Sequence, residues 1–197
     1  WDLPNTLAGA QDRLGFIALF LVTVAFSCID LLLLFPKERA VYLRDSNAGL
    51  HGTLAYYMGR SLAETPMHII LSALGACIAY WMVGFQDDAS KFGIFVLDVV
   101  VLMLAGTSLL IFVSTLAPDV ASANGIGTLF LMLAMIFNSF FIALENTPVV
   151  FRWIGHISFL KFGLETAAVN ELAGLQIECS AQEQALGCLP SGDSILS

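Results

Sequence analysis

Two carboxylates interrupt otherwise apolar stretches: Asp30 within Leu14 to Phe35, and Asp98 within Phe92 to Leu116. An acid set in hydrocarbon can carry a proton or a cation, so each is a functional candidate. Both also lie near an end of their stretch, where a side chain can snorkel to water. Asp30 could instead pair with a basic residue on the cytoplasmic side. Cys28 and Cys77 fall inside apolar runs and read as small packing residues. Cys179 and Cys188 lie nine positions apart in a polar tail. In an oxidising compartment that pair can form a disulfide; otherwise it is two free thiols. With no CxxC and no histidine nearby, it matches no zinc signature. His51, His68 and His156 are far apart in sequence. No GxSxG, no HExxH and no GxxxxGK(S/T) phosphate loop is present. The residues thus offer no catalytic group and no metal site, and leave enzymatic activity open.

The elements that must position these residues are long and apolar. The chain has 197 residues, 58% hydrophobic and only 12% charged, against about a quarter charged in soluble domains. A soluble fold of this size could not hide so much apolar surface. The net charge of −8 argues against nucleic-acid binding, which needs a basic face. The acids sit mostly outside the apolar runs. Four runs predict membrane-spanning helices at 14–36, 66–85, 92–116 and 124–144, each ending in charge or proline. Roughly 20 helical residues cross a hydrocarbon core, and helix is required because lipid cannot satisfy open backbone groups. The expected fold is all-α: a polytopic helical bundle in the membrane. The chain begins at Trp1 without Met or a basic leader, and so reads as an internal slice of a longer protein.

Residues 37–65 form the first connecting loop and hold Lys37, Arg39, Arg44 and Arg60. By the positive-inside rule this loop is cytoplasmic, although Arg13, Lys91, Arg152 and Lys161 balance it on the other side. Residues 145–197 are then extracellular, which suits an oxidised tail. Leu54 to Glu64 reads as an amphipathic helix leading into the second span. It is either a membrane-surface helix or a cytoplasmic helix that contacts another domain and transmits force.

At these residues the sequence resembles the ABCG (White-type) subfamily of ABC transporters, in their ABC-2 type transmembrane domain. Four features carry the resemblance, in order along the chain. The first is Gln11-Asp12-Arg13-Leu14-Gly15-Phe16. The second is Glu38-Arg39-Ala40-Val41-Tyr42-Leu43-Arg44-Asp45, followed by Gly49. The third is Tyr57-Met58-Gly59-Arg60-Ser61-Leu62-Ala63-Glu64-Thr65-Pro66, closing with Tyr80-Trp81-Met82-Val83-Gly84-Phe85. The fourth is Ile157 to Glu165, then Asn170-Glu171-Leu172-Ala173-Gly174, then Cys179 and Cys188. The family usually has Glu where Asp45 stands and an aromatic near Leu50.

The resemblance implies an ATP-driven exporter of lipids, sterols or amphipathic small molecules. These four runs would be spans two to five of six. An ATPase domain binding ATP and Mg2+ would belong to the same full-length chain, and this chain carries no cofactor of its own. A second half-transporter, identical or paralogous, would complete the machine in the lipid bilayer, most simply the plasma membrane. Substrate would lie between Val22, Thr23 and Phe26 on the first run and Thr128, Met132 and Met135 on the fourth. Phe26 would stack on a flat hydrophobic substrate, the methionines would form a compliant wall, and the threonines would supply isolated hydrogen bonds. Each could equally be ordinary packing or lipid contact. Phe140 and Phe141 stand where the family closes the cavity toward the outside, often with leucines; an interfacial aromatic belt is the other reading. Coupling to the ATPase domain would run through Glu38, Arg39, Arg44, Asp45 and Gly49. Glu64 and His68 flank a structural turn at Pro66. The tail 145–197 would form an extracellular re-entrant loop. A non-transport membrane scaffold subunit, or an ion-coupled carrier or channel using Asp30 and Asp98, are the competing classes.

Overall fold

A computed structural model describes residues 6–32, 34–49, 52–138 and 158–175. Helix α1 (Leu7–Ser27) begins seven residues before the expected span, because Thr6 caps it: its hydroxyl accepts from the Gly9 N–H at 3.2 Å. The first apolar run is not one rod. Ser27 donates its hydroxyl to the Val24 carbonyl at 2.6 Å, a local bond that competes with the helix ladder, and a turn at Cys28 separates α1 from α2 (Ile29–Leu32). Helix α3 (Leu34–Asn47) follows and contains the first part of the connecting segment, with Lys37, Glu38, Arg39, Arg44 and Asp45. It ends at Gly49, whose φ of 71° suits a residue without Cβ.

Helix α4 (Thr53–Val83) joins the amphipathic stretch and the second apolar run into one 31-residue helix. The turn expected at Pro66 is absent: the helix continues through the proline, as membrane helices tolerate. Gly84 stops it in the left-handed region. Asp88 caps α5 (Ala89–Leu116) by accepting from Ser90 N–H at 2.9 Å. Pro118 forces Ala117 into extended backbone and ends that helix. Helix α6 (Val120–Ile136) is 17 residues long. Among the described residues, α1, α4 and α5 are long and apolar enough to cross a membrane, and α6 is a shorter apolar helix. The remainder of the fourth run, from Ser139, lies outside the described residues.

Helix α5 is central: α1, α2, α3, α4, α6 and α7 (Phe159–Leu172) all pack on it. Its buried face carries Phe95, Val99, Leu102, Gly106 and Leu110, a helical spacing of three and four. Small residues let helices close up. A Cβ on Gly163 would collide with Leu102 Cδ1, and one on Gly127 with Leu32 Cδ2. Tyr80 anchors an aromatic cluster, with ring centroids 5.2 to 5.6 Å from Phe85, Phe92 and Phe95. Helix α7 starts beside Gly106, since Phe159 is the ring that a Cβ there would meet. It ends with Asn170 bonded to the Lys91 carbonyl at 2.9 Å. It therefore covers only about half the length of α5. The outer face of α4 leaves Leu62, Leu71, Ile78, Trp81 and Met82 exposed, a surface suited to lipid.

Candidate functional site

The ends of α3, α4 and α5 meet in a polar cluster. On α3, Glu38 and Tyr42 are four residues apart and share a face; on α4, Tyr56, Arg60 and Glu64 repeat at the same interval. Arg60 pairs with Glu38 at 2.5 Å and with Glu64 at 2.8 Å. The Tyr56 hydroxyl donates to Glu38 at 3.1 Å, and the Tyr42 ring lies 4.7 Å from that of Tyr56. The Tyr42 hydroxyl donates to the Thr53 hydroxyl at 2.9 Å. These contacts strap α3 to the first turns of α4. One residue on, Arg39 reaches the other way. Its guanidinium donates to the carbonyls of Ala117 and Pro118 at 3.4 and 3.3 Å, the place where a helix end welcomes a cation. Arg44 pairs with its neighbour Asp45 at 3.3 Å and is largely exposed. Beyond them, Gly49 turns the chain.

A cavity of about 400 Å³ opens between the three helices. Its α5 wall is Ser108, Ile111, Phe112 and Thr115, which fall on one helical face.

The residues expected to hold substrate occupy α1 and α6. Val22 is buried, and Phe26 is half-buried against the core. Thr23 is exposed and its hydroxyl already donates to the Leu19 carbonyl at 2.8 Å. Thr128 and Met135 are half-buried and Met132 is exposed. Thr128, Met132 and Met135 share a face of α6, and Thr128 donates to the Asn124 side-chain oxygen at 3.4 Å. Phe140, Phe141, Cys179 and Cys188 lie outside the described residues.

A family model described as ABC-2 type transporter matches residues 1–172. This chain belongs to the ABC-2 type transporter family. Its relatives are ABC transporter G family members. It is 29% identical over 188 residues to ABC transporter G family member 23 of Arabidopsis thaliana, covering 95% of this chain and 30% of that protein. Against member 6 of the same plant it is 31% identical over 171 residues, covering 87% and 24%. Against member 24 of Dictyostelium discoideum it is 30% identical over 180 residues, covering 90% and 16%. The chain thus spans less than a third of the length of these relatives.

The opposite end of this ABC-2 membrane domain holds a second polar group that single-run hydropathy does not reveal. Arg13 and Glu171 form an ion pair, both nearly fully buried. Gln86 donates to the Glu171 carbonyl, and Lys91 donates to Gln86 Oε1 at 2.8 Å and to the Ala173 carbonyl. The Tyr80 hydroxyl donates to the Gln86 carbonyl at 2.6 Å. The start of α1, the α4–α5 turn and the end of α7 are thereby joined. The α5 anchors of the two clusters, Lys91 and Ala117, lie about 39 Å apart along the helix axis. Asp98 lies between them, 91% buried, and its Oδ2 has no hydrogen-bond partner. Asp30 is exposed on α2.

Proposed function

We propose that this domain is the transmembrane part of an ATP-driven exporter that moves lipids, sterols or amphipathic small molecules. The observation that carries this reading is the double attachment of α3. Glu38 is tied to Arg60 on α4 while the adjacent Arg39 is tied to the end of α5. A displacement of the exposed Arg44 to Gly49 segment would reach two long apolar helices at once. Such an element can pass force from an ATPase domain that binds ATP and Mg2+ elsewhere in the full-length chain. The loop 37–65 is then cytoplasmic and the tail 145–197 extracellular, with Cys179 and Cys188 oxidised and Phe140 and Phe141 closing the outer side. The membrane is the plasma membrane.

Substrate would bind where a second half-transporter brings its own copies of these helices against Val22, Thr23, Phe26, Thr128, Met132 and Met135. The exposed Met132 and the half-buried Phe26 and Met135 supply an apolar, adaptable surface for that purpose. The test uses the full-length protein in proteoliposomes. Arg39→Ala should leave basal ATP hydrolysis in place while substrate-stimulated hydrolysis and transport both fall. Stimulation and transport at wild-type levels would overturn the coupling role.

Asp98 favours a second reading, an ion-coupled carrier, because a buried acid without a partner can exchange a proton or cation. Loss of transport in Asp98→Asn together with loss of dependence on a proton gradient would support it. Gradient-independent transport by the wild-type protein would remove it.

A further inference from the structure

We propose that the cavity between α3, α4 and α5 is a binding site for amphiphiles with a cationic, quaternary ammonium head. Its lining divides by chemistry. Glu38 and Glu64 present two carboxylates, and Arg60 between them is already engaged by both. Among the described lining residues one negative charge is left over. Beside these acids stand three tyrosines, Tyr42, Tyr56 and Tyr57. Aromatic faces attract ammonium groups, and rings grouped around one space are the setting in which choline-like ions bind. Tyr42 and Tyr56 are held in a fixed relation by their ring contact and their bonds to Thr53 and Glu38, so the cage needs little reorganisation on binding.

The opposite wall is mixed: Ile111 and Phe112 stand between Ser108 and Thr115, whose hydroxyls donate to carbonyls of their own helix. Ile111 and Phe112 project from the last turns of α5, and Phe112 is 61% exposed, so an alkyl chain can lie along it while the head enters among the tyrosines. A volume of about 400 Å³ accommodates such a head with the first part of its chain. Among the described lining residues an anionic head would meet Glu38 and Glu64 with no cation to spare, because Arg60 is engaged by both. This site is separate from the α1 and α6 surfaces assigned to substrate, and its occupancy does not depend on transport.

The experiment measures equilibrium binding to the full-length protein in nanodiscs. Radiolabelled dodecyltrimethylammonium is the probe, and dodecyl sulfate, with the same tail, is the comparison. The cationic probe should bind saturably and the anionic one should not compete. Tyr57 is more than half exposed, so Tyr57→Leu leaves the fold intact; it should weaken the probe by about 2- to 30-fold, while Tyr57→Phe keeps the affinity. Glu64→Gln should weaken it too. Competition by lysophosphatidylcholine would assign the site to a lipid headgroup, and failure of that competition would assign it to a free cationic amphiphile. Equal affinity for dodecyl sulfate, or binding unchanged in both Tyr57→Leu and Glu64→Gln, would overturn the proposal.

Discussion

Arg13 and Glu171 are 158 positions apart and meet as a buried ion pair. The contact closes the fold on itself. It pins the first turns of α1 to the end of α7, and Gln86 and Lys91 add the α4–α5 turn.

Breaking this pair from one side should be costly, because the remaining charge stays buried without its counterion. Glu171→Leu or Arg13→Met should each lose about 3–5 kcal/mol, and the double variant should recover much of that loss. Thermal unfolding of the detergent-solubilised protein measures it. Equal additive losses in the double variant would show that the two side chains do not act as a pair.

Gly163 faces Leu102 at a separation that excludes a methyl group. Gly163→Ala should therefore cost about 1–3 kcal/mol by overpacking. Adding Leu102→Ala makes room, so the double variant should lose less stability than the sum of the Gly163→Ala and Leu102→Ala losses; a strictly additive loss would show that the two positions do not collide.

The Glu38–Arg60 pair is about one-third exposed, and such a pair contributes about 0–1 kcal/mol to stability. Its value would lie in alignment. Glu38→Arg should reduce substrate-stimulated ATP hydrolysis with little change in melting temperature. The charge swap Glu38→Arg with Arg60→Glu should restore part of the stimulation, although Glu64 then faces the new glutamate.

Asp119 precedes α6 and accepts a hydrogen bond from the Ser122 hydroxyl, which holds the carboxyl below its ordinary value. A carboxyl lowered in the folded state contributes stability above its unfolded value and loses that contribution as pH falls through the folded one. NMR titration should find Asp119 below 3.8, and Ser122→Ala should move its midpoint upward.

The helical, membrane-embedded character was legible because Leu14 to Phe35, Phe92 to Leu116 and the other runs are too long and too apolar for a soluble core. The family was legible from the order and spacing of four motifs across nearly the whole chain, no one of which decides it alone. The start of α1 was not legible. Hydropathy treats Arg13 as a boundary, and only the folded chain brings Glu171 to neutralise it. The same two segments had been recognisable as motifs, yet nothing in their spacing says that they touch. Tyr56, Arg60 and Glu64 carried a readable signal in their four-residue interval; their common partner Glu38 lies on another helix and could not be read from that interval. The turn expected at Pro66 failed because a long membrane helix tolerates one proline when it is held on both sides, here by Glu38 on Arg60 before it and by the burial of Ser72, Ala76 and Tyr80 after it.

That proline has a mechanical meaning. Proline has no N–H, so the carbonyl four residues earlier, on Leu62, loses its usual partner. Below this point α4 carries the strap to α3; above it, Ser72, Ala76, Ala79 and Tyr80 are buried against the bundle. The long rod therefore contains a flexure between its handle and its anchorage. A bending load on α4 would find its weakest point there, at the boundary between the half strapped to α3 and the half buried against the bundle.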